Sequence, residues 1–238
     1  MSTDNLPARF ADEQFRVAGV FSPDELPADL RGYAKANAHR KVNRLLERIS
    51  LAPFAAGHSL YQRLPIGEPD RVALLTVSGW DPDTPEPEPT GGGLSPAELS
   101  SFYLHPKGVG DYLQRMPNNP ICQLSIAAGF RGPNVHYTGG VESLELMATV
   151  AVSHLADGSS DCAILLAFDV ERQHQHALPD TADSVAAAVL LAPADTGPDD
   201  FGSVAELVDT LRTLPRTVGA VAALRLWLTS VRTPARAR

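Results

Sequence analysis

Apolar residues are unevenly spaced along this chain, and the spacing separates strands from helices. Arg71 to Val77 (RVALLTV), Cys162 to Phe168 (CAILLAF) and Val185 to Ala192 (VAAAVLLA) are apolar almost without interruption. That is the pattern of strands covered on both faces in a parallel or mixed sheet. Phe15 to Phe21 (FRVAGVF) and Val135 to Thr138 (VHYT) read as two shorter strands. Elsewhere the period is helical. Tyr33 to Ser50 predicts an amphipathic helix with Val42, Leu45, Leu46 and Ile49 as its stripe. A second helix starts at Asn119-Pro120, where the amide can cap and proline gives up no bond at the first helical position, and it closes at Gly129. A third follows Gly139-Gly140 directly. Leu144, Met147, Ala148, Ala151 and Leu155 form one apolar face, but Leu146, Val150 and Val152 make the other side apolar too, so this helix is expected to be covered on more than one side.

The ends of the chain are punctuated by caps. Ser22-Pro23-Asp24-Glu25 resembles a helix start, Ser95 has Glu98 three residues on, and Ser203 with Glu206 makes a capping box opening a helix to Leu214. Val218 to Val231 predicts a final helix with Val221, Leu224, Leu228 and Val231 on one face and Trp227 beside them; it is too short and, with Arg225, too charged to span a membrane. Asp81 to Gly93 is a run of proline, acid and glycine expected to form a mobile surface loop, with a further loop over Pro193 to Asp200.

With 238 residues, 44% of them hydrophobic and 20% charged, the chain is expected to be one globular domain, 1–238, with a core over about 15–192 and a C-terminal helical extension over 203–232. The formal charge of −8 disfavours nucleic acid and anionic membrane as partners. Lys35, Arg40, Lys41, Arg44 and Arg48 form the one basic surface, which serves either as a solvated helix face or as a dock for an acidic partner. Cys122 and Cys162 fall in segments expected to be buried and no secretory segment precedes them, which reads as reduced thiols in a cytoplasmic protein. Gln173-His174-Gln175-His176 offers two imidazoles without a third ligand, His105 reads as a surface or packing residue, and no metal or cofactor is expected.

The segment Asn118 to Val170 is where chemistry can be argued. A short strand, the Gly139-Gly140 corner and an apolar helix make a nucleophile elbow, in which the corner residue sits at a helix N-terminus whose N–H groups favour developing negative charge. Gly132, Pro133, Asn134 and Ser143 match the pattern of the ketosynthase branch of the thiolase superfamily, which this segment resembles. The resemblance covers about Phe15 to Ala192 and is specific over Phe130 to Leu144. It implies a three-layer α/β fold, a mixed sheet with helices on both faces, like the N-terminal half of the thiolase/ketosynthase fold. It places the family's reactive cysteine at Val141, which cannot attack a thioester. Glu142 replaces a small residue of the motif and Leu144 its glycine.

The resemblance further implies that the family's second half, with its histidine pair, is absent, so the chain is expected to be no independent condensing enzyme. The pattern is similar to that of non-catalytic chain-length factors. The expected partner is an active ketosynthase subunit, with an acyl carrier protein reached mainly through it. The strand Val135, His136, Tyr137 and Thr138, with Asn134 and Gly140 at its ends and Met116, Asn118, Asn119, Pro120 and Ile121 before the capped helix, is expected at the partner interface and acyl tunnel. The apolar face left by the missing half must then be covered by the two C-terminal helices or by a partner. Two alternatives stay open: an enzyme using Glu142 as acid or base, and a self-associating structural or acyl-binding protein.

Overall fold

The computed structural model describes residues 14–64, 67–79, 95, 97–98, 116, 118–170, 184–196 and 201–232. Its strands are β1 (Phe15–Phe21), β2 (Val72–Ser78), β3 (Asn134–Thr138), β4 (Cys162–Val170) and β5 (Ser184–Pro193). Its α-helices are α1 (Leu30–Asn37), α2 (Arg40–Asn43), α3 (Arg48–Arg63), α4 (Asn119–Ala128), α5 (Val141–Ala156), α6 (Val204–Thr213) and α7 (Ala220–Arg232). The strands form one sheet in the order β1-β5-β4-β2-β3. β2 pairs in parallel with β3 and β4, and β5 pairs antiparallel with β4 and β1. Parallel neighbours need a crossover rather than a tight turn; α4 precedes β3, and α5 joins β3 to β4.

The apolar strands are apolar because both faces are covered. Ala73, Leu75, Val77, Ala163, Leu165, Ala167, Val189 and Leu191 share a cluster with α5, α6 and α7. Val72, Leu74, Ile164, Leu166, Ala188 and Leu190 share another with α1 to α4. The architecture is therefore three-layered, helices over a mixed sheet over helices. Of the two coverings expected for the α5 side, α6 and α7 supply one: Leu207, Leu211, Leu224 and Trp227 are buried in the same cluster as Leu144 and Met147. α5 lies against the sheet and is tied to α6 by Glu145 and Arg212 (2.8 Å), while Leu146, 44% exposed, faces solvent.

The expected helix over Tyr33 to Ser50 is corrected to three pieces, α1, α2 and the start of α3. Ala38 is extended, the Asn37 side chain takes the Tyr33 carbonyl at 2.8 Å, and His39 caps α2. A second break follows, and the carbonyls it frees are claimed from outside: Leu45 by Asn119 Nδ2 at 2.7 Å, Leu46 by Arg31 at 2.8 Å. Val42 and Leu46 are still buried, and Lys35, Arg40, Lys41 and Arg44 still face solvent. A second correction concerns α4: Asn118 holds the N-cap position without a side-chain cap bond, and Asn119 and Pro120 are inside the helix. A third is Cys122, which is half-buried, whereas Cys162 is buried and its thiol is pushed up to about 12, by burial first and Asp161 second.

Other expectations match. Ser22 N–H meets Glu25 at 2.9 Å over a short 3-10 turn, Ser95 and Glu98 bond reciprocally, and Ser203 and Glu206 form both bonds of their box. The loop 81–93, His105 and the 173–176 tract lie outside the described residues.

Candidate functional site

The elbow is built by glycines that accept what a Cβ would forbid. Gly132 lets the chain enter β3: a Cβ there would run into the Val72 carbonyl, its carbon only 2.7 Å away, while the Pro133 carbonyl accepts Leu74 N–H at 2.8 Å. Gly139 turns the corner with φ +154, and a Cβ would meet the Ser143 side chain. Val141 then opens α5 and is 2% exposed, its N–H donating to the Val218 carbonyl at 3.0 Å. Glu142 is exposed and ion-paired with Arg216 at 2.6 Å. Ser143 is half-buried behind Gly139.

Along β3 the side chains alternate. Val135 packs toward the α5 side, and Tyr137 is 48% exposed. His136 points to the opposite face, between Thr76 Oγ1 (2.8 Å from Nδ1) and Ser78 Oγ (3.3 Å from Nε2), with its ring stacked on Phe168 at 5.9 Å. Burial, which disfavours the charged imidazolium, holds its pKa at about 4. Thr138 is half-buried beside Ser78, and Asn134 Nδ2 donates to Ser125 Oγ at 2.7 Å, fastening the strand to α4. β3 is an edge strand, and among the described residues nothing pairs with its outer side.

The residues before α4 are placed differently. α4 ends near Pro69, at the start of β2, since Arg131 N–H reaches the Pro69 carbonyl at 3.2 Å. About 15 Å of helix separates that end from Asn118. Their side chains turn inward, however. Asn119, Pro120 and Ile121 are buried, and Asn119 also accepts from Gln123 Nε2 at 3.0 Å and approaches Ser50 at 3.4 Å. Met116 is half-buried and its carbonyl accepts Asn119 N–H at 2.8 Å. Among the expected interface residues, only those of β3 lie on an edge that no described residue pairs with.

Three features were not anticipated. Asp169 lies one residue before the end of β4, beneath Gly79 and Gly219; burial raises its pKa, and the Val221 and Gly79 N–H groups offset part of that rise. Thr76 and Ser78 hold His136. The chain after α6 reaches the elbow. A lone acid ending the apolar run CAILLAFD was the available signal for Asp169; the other two depend on tertiary contacts. Among the described residues no group of three or more His, Cys, Asp or Glu is placed to hold a metal ion, and no helix is long and apolar enough to cross a membrane.

No protein-family model and no curated protein matches the chain. Solved structures do. AntDE:AntF, a type II PKS acyl-carrier protein in complex with its ketosynthase bound to the hexaketide, superposes with a TM-score of 0.50 at 13% identity, over 76% of this chain and 63% of the other. The fold is of the ketosynthase type. Also similar are a ketosynthase from module 1 of the bacillaene synthase of Bacillus amyloliquefaciens FZB42 (TM-score 0.48, 12% identity, 79% of this chain and 43% of the other) and the ishigamide ketosynthase/chain length factor (0.45, 13%, 75% and 62%). The chain thus spans less than two thirds of the length of these ketosynthase-type structures, and at such identities the likeness establishes fold alone.

Proposed function

We propose that this chain is a non-catalytic, chain-length-factor-like subunit that pairs through β3 with an active ketosynthase in polyketide or fatty-acyl elongation. The observation that carries the proposal is the elbow itself: a ketosynthase-type strand-corner-helix with buried Val141 where a nucleophile would stand. A valine has no group to form a covalent acyl intermediate. The open edge of β3 supports the mode of pairing, since an unpaired strand edge is a template for another chain. In this reading Tyr137 and the elbow end of β3 contribute to the far wall of the partner's acyl tunnel, and the acyl carrier protein is met mainly by the partner. Glu142 in acid–base chemistry is less well supported, because it lies exposed in an ion pair with Arg216.

Co-expression with a ketosynthase that keeps its cysteine and histidine pair, followed by size-exclusion chromatography with light scattering, tests this. A one-to-one complex is expected, with a shifted product chain length for Tyr137→Ala read by mass spectrometry. A monomer that ignores the ketosynthase overturns the pairing. A homo-oligomer that excludes it favours a self-associating protein instead.

A further inference from the structure

The first N–H groups of an α-helix have no acceptor within the helix, so a helix N-terminus readily receives an anionic or carbonyl oxygen. At α5 that position is filled by the chain's own backbone. The Val218 carbonyl accepts Val141 N–H at 3.0 Å, and Gly140 and Gly219 form an antiparallel bridge beside it. The approach is what requires glycine at 140. Its φ of −101 is open to any residue, yet a Cβ there would lie 2.8 Å from the Val218 oxygen.

The segment carrying that carbonyl is held from both sides. It turns on itself, Val218 N–H donating to the Pro215 carbonyl at 2.9 Å, and Arg216 reaches Glu142 on the first turn of α5 at 2.6 Å. Behind it Gly219 packs toward Asp169, to whose carboxyl the Val221 N–H of α7 also turns; a Cβ at 219 would stand 3.3 Å from Oδ2.

We infer that residues 215–219 are a built-in plug that closes the elbow to acyl groups, whichever side chain stands at 141. An acyl carbonyl seeking the Val141 N–H must first displace the Val218 carbonyl, and with it the bridge and the ion pair. The inference does not depend on pairing with a ketosynthase: the plug closes this chain's own elbow, whereas pairing uses the edge of β3.

Amide hydrogen exchange on the full chain, resolved at Val141 by NMR, tests it directly. Val141 N–H is expected to exchange about 100-fold or more slower than its intrinsic rate, as for a bond broken only by sub-global opening. Gly140→Ala should push the Val218 carbonyl away and raise exchange at 141 by about ten-fold or more, a loss of about 1.4 kcal/mol in protection. Arg216→Ala, a change at an exposed residue, should raise it by up to about five-fold, the range of a surface ion pair. As a second readout, a thiol introduced by Val141→Cys should react with maleimide as slowly as Cys162, and faster when Gly140→Ala is added, with sites assigned by peptide mass. Exchange at the intrinsic rate in the unmodified chain, or rapid labelling at position 141 while α7 stays protected, overturns the plug. If Gly140→Ala does not fold, the unmodified chain and Arg216→Ala still decide.

Discussion

Acidification is expected to weaken this fold through His136. The imidazole is packed between β2 and β3, bonded to two hydroxyls and stacked on Phe168, with burial as the cause of its pKa of about 4 against an ordinary 6.5. The unfolded chain takes up a proton as pH falls through about 6.5, and the folded chain does not until about 4. The stabilisation is therefore complete above the unfolded value and is lost as pH falls toward the folded one. The gap caps the loss at about 3 kcal/mol; because the ring is only partly buried, solvent screening reduces the expected loss to about 1–2 kcal/mol. Urea unfolding of the parent and of His136→Gln at several pH values between about 7.5 and 4.5 isolates the effect. His58, also lowered by burial, and Asp169, raised by burial, titrate in both proteins and cancel in the difference. The stability difference between parent and variant should shrink by that amount on acidification. Equal slopes with pH in the two proteins would show that His136 is freely protonated in the folded chain, and the reasoning from burial would fail.

Two further perturbations probe the framework around the elbow. Gly132→Ala forces a Cβ against the Val72 carbonyl, backbone that cannot swing aside, and should cost about 1–3 kcal/mol in urea unfolding; a neutral effect would mean that the entry to β3 is looser than described. Asn119→Ala leaves the Leu45 carbonyl without its donor and Gln123 without its acceptor, and should cost about 1–3 kcal/mol by the same measurement, whereas a cost below about 0.5 kcal/mol would mean that water replaces both bonds.

Much of the fold was legible because its signals are local. β2, β4 and β5 lie within one or two residues of the apolar runs that announced them, since a strand buried on both faces leaves no polar position to blur the pattern. The elbow was legible from Gly139-Gly140, and Ser203 and Glu206 stand three residues apart as a capping box demands. What was not legible depends on residues distant in sequence. The stripe Val42, Leu45, Leu46 and Ile49 has helical spacing, but the break after α2 is stabilised by Asn119, 74 residues away from the carbonyl it satisfies. Asn119 thus had a polar role that the spacing Asn-Pro disguised as a cap. α3 continues to Arg63 through Pro53 and Gly57, because Gly57 leaves room for Leu124 of α4 and the helix is buried over most of its length. The contact of Val218 with Val141 is made by main-chain atoms, and apart from the two glycines that permit it no side chain marks it in the sequence.

Among the described residues, the two edges of the sheet are treated unequally, and the proposed pairing uses the barer one. At β1 the outer side is occupied: Val17 N–H donates to the Gly202 carbonyl at 2.9 Å, Phe201 N–H returns to the Val17 carbonyl at 3.2 Å, and Arg16 bridges Ser203. At β3 the strand Asn-Val-His-Tyr-Thr carries no lysine, no proline and no bulge, the devices by which edge strands resist pairing. Tyr137 adds exposed aromatic surface on that strand, and Leu146 leaves an apolar position open on the helix that follows. The α5 side of the sheet, by contrast, is filled by α6 and α7, whose Val208, Leu224, Trp227 and Leu228 are buried against it. A partner is therefore not needed to shield the sheet's face. What the proposed partner would offer is hydrogen bonds to a five-residue edge that no described residue pairs with, a contribution that is main-chain in character and tolerant of side-chain change. On the proposed pairing, the residues expected to single out one partner from others are those beside the edge, Tyr137 foremost, so the pairing test and the chain-length test converge on the same residue.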